Sequence, residues 1–228
     1  MRIEGNLKKG FFLRRETRFS AFVRISDKEY RCFLPNPGRM KELLFINAEV
    51  LLQESSHKER KTRYTIVGVR LKRRWISVDS RVPNKLIFEA LKLGKIPEFK
   101  QYRDVKPEHQ VNHSRIDFLL SNCGMCLLEV KSCTLIRDGV AFFPDAPTER
   151  GRKHIVELMK AKREGVRAAV LFLVQRIDAT LFSPNDEADP AFSEKLRDAA
   201  RNGVEVYAYT SDFTGREIIL KNRMEVKL

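Results

Sequence analysis

RIDFLLSNCGMCLLEVK, residues 115–131, decides how this chain is built. Two apolar runs flank Ser121-Asn122-Cys123-Gly124, four residues of turn chemistry in which Gly124 is free to take a positive φ. The stretch predicts a β-hairpin. Centred on Cys123, it sets Asp117 opposite Glu129 and Arg115 opposite Lys131, and residues two apart on a strand share a face. The four charges then form one group, with Ile116, Phe118, Leu128 and Val130 on the other face. A one-residue slip would scatter the group.

Both opposed pairs are like-charged, which destabilises a sheet by roughly 0.2–1 kcal/mol per pair unless something sits between them. A divalent cation between Asp117 and Glu129 relieves one repulsion. A phosphate near Arg115 and Lys131 relieves the other. Carboxylates holding a hard cation beside a lysine are the parts of metal-assisted phosphodiester cleavage. The alternative is a solvated sheet face whose charges act separately.

Working outward from the hairpin, residues 84–93 carry apolar Leu86, Ile87, Ala90 and Leu91 at helical spacing, and Gly94 closes the helix. Glu89 falls on the edge of the apolar stripe, as a border residue or as a third metal ligand. Residues 102–108 read as an edge strand. After Lys131, residues 134–143 predict a second hairpin turning at Asp138-Gly139. Thr148 is a helix N-cap, and the helix it opens runs to about Glu164 before Gly165. Arg150, Arg152, Lys153 and His154 lie in its first turn, where a helix already attracts anions. Residues 167–175 form a nearly continuous apolar strand, consistent with burial on both faces. Asp189-Pro190 starts another helix ending at Gly203, and residues 204–209 are a last clear strand.

The opening third is different. Short alternating runs at 10–14, 19–25, 30–34, 48–52, 64–71 and 75–78 predict strands, and residues 39–45 one short helix. A small barrel with one helix is the oligonucleotide-binding architecture. The chain therefore divides into residues 1–82, an oligonucleotide-binding-like β domain, and residues 83–228, an α/β domain.

Charge supports the same division. The chain has 228 residues, a net charge of +14 and a pI near 9.8, with 43% hydrophobic and 32% charged residues. Residues 1–82 hold 20 Lys and Arg against 9 Asp and Glu, a net +11; the remainder hold 24 against 21, a net +3. An excess of that kind is the footprint of a nucleic-acid binder. Arg14, Arg15, Arg39, Arg70, Lys72, Arg73 and Arg74 are the phosphate contacts expected in the first part, with Trp75 either a stacking platform or a core residue. Arg115, Arg150, Arg152, Lys153 and His154 are those expected in the second. No base-reading helix is evident, so binding should be sequence-nonspecific. No basic amphipathic helix or long apolar run points to a membrane, and residues 1–9 are too polar for a signal peptide.

Cys123 and Cys126 make a C-x-x-C. Zinc would need a second pair of ligands, for which only His109 and His113 are near, and redox work would need the motif at a helix start. Free thiols in a reducing cytoplasm are the expectation for these and for Cys32 and Cys133.

Helix, meander with D…E-x-K, helix and strand resembles the PD-(D/E)XK nuclease superfamily. More specifically, the chain resembles the sugar fermentation stimulation protein family, on Pro35-Asn36-Pro37-Gly38-Arg39-Met40, Pro83-Asn84-Lys85-Leu86, Ser114 through Leu119, Glu129-Val130-Lys131, and Phe143-Pro144-Asp145-Ala146 with Thr148 through His154. Asp189-Pro190 and Asn202 through Val206 add to it. Pro37 and Arg39 depart from the usual Pro-Asn-Thr-Gly-Ser-Met. The resemblance implies an α+β chain, in which a small oligonucleotide-binding-like barrel precedes a nuclease-like mixed sheet flanked by helices. It also implies non-specific DNA binding and a link to sugar, notably maltose, metabolism. The superfamily resemblance implies Mg²⁺ or Mn²⁺ on Asp117 and Glu129, with Glu89 as the first-helix acid and Lys131 as the catalytic lysine. Members of that superfamily that bind without cutting leave a non-catalytic regulator as the alternative.

Overall fold

Alternation of apolar and polar residues folds the first third of the chain into a closed barrel. The computed structural model describes residues 1–55, 62–112 and 114–228. Strands β1 (Leu7–Thr17), β2 (Ser20–Ile25), β3 (Lys28–Phe33), β4 (Glu49–Glu54) and β5 (Tyr64–Leu71) join in the order β3-β2-β1-β4-β5, and β3 then pairs with β5 to close the ring. Inward residues such as Val23, Leu34, Val50, Leu52 and Ile66 form its buried core. Each such side chain contributes about 1.5–3 kcal/mol by leaving water. The helix expected at 39–45 is absent. Met40 is left-handed at φ +47 and one turn forms, with Leu43 and Leu44 N–H both donating to Met40 O. Its side chain and that of Leu43 still plug the barrel.

Strand β6 (Arg74–Ser77) leaves the barrel and joins the second body. It pairs with β5 on one side and, through Trp75 and Phe213, with β14 on the other. The rest of the chain supplies α1 (Val82–Lys92), β7 (Asp104–Val111), β8 (Ser114–Ser121), β9 (Cys126–Cys133), β10 (Leu135–Arg137) and β11 (Val140–Phe143). It continues with α2 (Glu149–Arg163), β12 (Arg167–Val174), β13 (Leu181–Pro184), α3 (Pro190–Arg201), β14 (Glu205–Phe213), β15 (Ile218–Arg223) and β16 (Glu225–Val226). The main sheet runs β6-β14-β12-β9-β8-β7, with β15 also on β14. It is mixed, because β12 is parallel to both β9 and β14 while its other pairs are antiparallel. The two-part architecture implied by the resemblance is the one observed.

Helix α1 covers one face of this sheet, over Phe118, Leu128, Val130 and Leu171. Helices α2 and α3 cover the other, over Leu127, Val170 and Phe172. Thr148 caps α2 by accepting from Gly151 N–H at 3.1 Å, and Asp189 caps α3 by accepting from Phe192 N–H at 3.0 Å. A second sheet, β10-β11-β13-β16, flanks the α2/α3 side. Its strands β13 and β16 were not expected from the sequence, and neither was β15. The first residues of the chain also cross over. Met1 and Ile3 exchange backbone bonds with Ile218 and Arg216, so the N-terminus is built into the second body.

Candidate active site

The turn at 122–124 sets the hairpin register. Phe118 faces Leu128, Leu119 faces Leu127 and Leu120 faces Cys126, the register centred on Cys123. Beyond Phe118 the ladder stops and the strands part. Val130 N–H, which a continued ladder would bond to a carbonyl, donates instead to Asp117 Oδ2 at 2.8 Å. Asp117 N–H in turn reaches Glu129 Oε2 at 3.3 Å. On the far side of the hairpin, the pairing of β7 with β8 skips Glu108 and Asp117, and Glu108 is at φ +53. The alternation of faces along β8 breaks at Asp117, where its pairing with β9 ends. Ile116 packs on the α2 side, not with Phe118, Leu128 and Val130 as expected.

Where the strands part, Asp117, Glu129 and Lys131 come together. Lys131 Nζ donates to Glu129 Oε1 at 2.5 Å. His154 Nδ1 makes a second, short contact with the same oxygen from the second turn of α2. Arg150 Nε donates to His154 Nε2 at 3.4 Å, which assigns the proton to Nδ1 and makes the imidazole a donor to Glu129. Asn84, in the first turn of α1, donates to Asp117 Oδ1 at 2.6 Å. The carboxylate of Asp117 therefore joins α1 to the hairpin, and that of Glu129 joins the hairpin to α2.

The two acids differ in their electrostatics. Burial, then the nearby Glu129 charge, push Asp117 up to about 6. Burial would also raise Glu129, but Lys131 and the His154 hydrogen bond outweigh it and hold Glu129 below the usual carboxylate range.

Several expected site residues are placed elsewhere. Glu89 lies five residues beyond Asn84, about 140° further round the helix. Its half-exposed carboxylate meets the N-terminal ammonium at 3.2 Å and stands apart from Asp117 and Glu129. Arg115 pairs with Glu108 at 3.1 Å and leaves Lys131 to Glu129. The basic turn of α2 disperses. Arg152 binds both oxygens of buried Asp189, Lys153 pairs with Glu149, and His154 is only 5% exposed. Arg14 pairs with Glu29. Arg15 spends its guanidinium on the carbonyls of Thr17, Arg18, Asn36, Gly38 and Arg39, holding the 36–39 loop in place. Arg70 reaches Glu49 at 3.6 Å and lies over Trp75, which is half-buried against the main core. Lys72, Arg73 and Arg74 are exposed at the β5–β6 turn, and Arg39 is exposed on its loop.

Between the barrel and the second body lies a cleft of about 1140 Å³. Loop 36–44 forms one wall, and Phe143 through Arg150 the other. Lys131 and Ser132 open into it, so the Glu129 cluster lies directly behind its lining. The walls are tied together by Met40 N–H, which donates to Asp145 Oδ2 at 3.2 Å. A Cβ on Gly38 would lie 2.5 Å from the same oxygen, so any larger residue there would push the Asp145 carboxylate aside. Asn84 and Asp145 were not singled out for these contacts. Both lie in segments that carry the family resemblance, which was the available signal.

All four cysteines are free thiols, with Cys126 pushed up to about 12 by burial. His113 lies outside the described residues. Among the described residues no group of three His, Cys, Asp or Glu is arranged to hold a metal ion, and no helix is long and apolar enough to cross a membrane.

Three comparisons bear on this arrangement. The family model of the sugar fermentation stimulation protein RE domain matches residues 81–217, and that of the SfsA N-terminal OB domain matches residues 13–78. A sugar fermentation stimulation protein homolog from Caldanaerobacter subterraneus is 48% identical over 229 residues, covering 100% of both chains. Another from Clostridium tetani is 44% identical over 230 residues, again covering 100% of both. Among solved structures, Pyrococcus furiosus SfsA in complex with Ca²⁺ matches with a TM-score of 0.92 at 30% identity, over 100% of this chain and 98% of that one.

Proposed function

We propose a function from one premise: this chain belongs to the sugar fermentation stimulation protein family. It binds DNA with little sequence preference and carries a nuclease-type site that takes a divalent cation. The observation that carries this reading is the meeting of Asp117, Glu129 and Lys131 beside a cleft rimmed with Arg and Lys. That a relative of the same fold was solved in complex with Ca²⁺ supports the cation.

The residues present fit a hard cation. Mg²⁺ is commonly held by one or two carboxylates, with water and substrate oxygens completing its shell. Asp117 and Glu129 supply two, and Asp117 is raised by burial and then by the nearby charge of Glu129. When bound, Mg²⁺ or Mn²⁺ supplies Lewis-acid stabilisation of a phosphoryl group and a more acidic water. The chain's own residues do the rest. Asn84 and Val130 N–H fix the Asp117 carboxylate, and His154 fixes Glu129. Lys131 brings an ammonium to the cleft, where it would orient the attacking water or stabilise the negative charge that develops on the phosphoryl oxygens.

The test is cleavage of linear, nicked and single-stranded DNA with Mg²⁺ or Mn²⁺. Wild type should cleave at least one of these, and Asp117→Asn should not cleave while still binding DNA. A second reading has its own support: Lys131 and His154 already neutralise Glu129, as in a site that has no further need of a cation. The protein would then be a non-catalytic DNA-binding regulator tied to sugar metabolism. Calorimetry with Mn²⁺ separates the two, since a silent site takes up no metal.

A further inference from the structure

We propose that the polymer drawn into the cleft is an unpaired strand and not a duplex. This rests on the DNA-binding reading above and specifies its substrate.

The first support is the pairing of chemistries inside one cleft. Arg18, Arg39 and Lys41 line the barrel wall, and among the described residues none forms an ion pair with a carboxylate. Lys131 and Arg150 face them from the other wall. Four of these cations have no ion-pair partner among the described residues and are available to phosphates, and the fifth, Lys131, is held by Glu129. The mixed lining between them includes apolar Pro37 and Leu44 on one side and Phe143 on the other, beside the carboxylates of Glu16, Asp145 and Glu149. Pro37 is exposed, and Leu44 and Phe143 are half-buried. A duplex shows a protein its phosphates and base edges but hides the faces of its bases in the stack. An unpaired strand offers phosphates and base faces alternately, and binding sites for it combine a cationic track with apolar or aromatic platforms.

The second support is size. A cleft of 1140 Å³ is close to the ~300–1,000 Å³ of pockets that enclose one small ligand. It holds a few nucleotides of single strand, whereas a turn of B-form helix is many times larger. The walls are also fixed. Met40 N–H on Asp145, and the close approach of Gly38 to the same carboxylate, tie the barrel loop to the opposite wall. Widening the cleft for a duplex would break both contacts.

The experiment uses the intact protein in EDTA, so that nothing is cut. Fluorescence anisotropy compares a labelled single strand with a blunt duplex of the same sequence at matched salt. The single strand should bind at least about tenfold tighter, the effect of roughly one stacked base. Arg39→Glu with Lys41→Glu, which reverses two unpaired cations of the cleft, should remove that preference. If that double variant does not fold, Arg18→Glu should remove it in its place. Equal or tighter binding of the blunt duplex, or a preference that survives the variants, overturns the proposal while the DNA-binding reading stands. Binding of neither form at low salt overturns both.

Discussion

Three charges and a histidine at the mouth of the hairpin, set against four charges at the β5–β6 turn, show what position does to a polar side chain. Asp117, Glu129, Lys131 and His154 are held at fixed partners behind the cleft, with Glu129 and His154 almost wholly buried. Lys72, Arg73 and Arg74 stand in water, with Arg70 partly tied down by Glu49. In the first group each charge is the neighbour's solvent. Removing one leaves another stranded in a medium that cannot hydrate it. In the second, water and salt substitute for any partner, and the charges matter only as a sum.

The largest effect that can break this contrast is Glu129→Ala. It strands the Lys131 ammonium and the His154 donor together, and the loss of a buried partner typically costs about 3–5 kcal/mol. A urea titration should show a midpoint that falls by a large fraction of its wild-type value with an unchanged slope. A loss under about 1 kcal/mol would mean that water reaches the cluster as freely as it reaches Arg73.

Asp117→Asn should act in the opposite direction, and pH reveals it. The folded-state value of about 6 lies above the ordinary aspartate value of 3.8, so the folded state holds the proton more tightly than the unfolded. Stability should therefore fall as pH rises through the window between the two, and stay reduced above it. Asparagine keeps an acceptor for Val130 N–H and cannot ionise. At pH 8 the variant should be more stable than wild type, by about 2 kcal/mol or somewhat more. At pH 3.5 the two should melt together. A variant less stable at both pH values would show that the hydrogen bonds to Asn84 and Val130 outweigh the repulsion.

The unequal legibility of the two groups has a physical cause. Turn residues Asn122 and Gly124 act locally, so the hairpin register could be read from 17 residues. The caps at Thr148 and Asp189 are likewise local. The second sheet was not legible, because β13 and β16 are short and gain their stability from strands far away in the chain. Ile116 was assigned to the wrong face because strict alternation was assumed along β8 across Asp117, where the ladder to β9 ends. Glu89 was expected at the site on residue type, whereas the angle around α1 gives that place to Asn84. The arginines were read as a class. Only the folded structure shows that Arg15 is consumed by five carbonyls while Arg39, on the loop it holds, is free to face the cleft.

Arg152 lies between the two environments and sharpens the comparison. Read from sequence it is a phosphate contact at a helix start. In the structure it is one-third exposed and binds an Asp189 carboxylate that also accepts Thr148 and Phe192 N–H. Arg152→Ala should cost about 1–2 kcal/mol, through the weakened junction of α2 and α3. DNA affinity and its salt dependence should stay at wild-type values. A variant with full stability and weaker DNA binding would return Arg152 to the phosphate-contacting set.

The smallest effect on the fold, and the clearest on binding, is expected at the β5–β6 turn. Lys72, Arg73 and Arg74 are exposed, and among the described residues none has an ion-pair partner. Replacing Arg73 and Arg74 with alanine removes no buried contact, so the melting temperature should not move measurably. If the turn touches the polymer, each lost phosphate contact should reduce the slope of log affinity against log salt by about 0.9 on duplex or about 0.7 on single strand. The slope is the informative quantity, because affinity at one salt concentration also falls when a variant is partly unfolded. A double variant with unchanged slope would remove this turn from the binding surface and leave the work to the cations of the cleft. A double variant with a lowered melting temperature would show that Trp75, which Arg70 and Lys9 shield, depends on the turn for its packing.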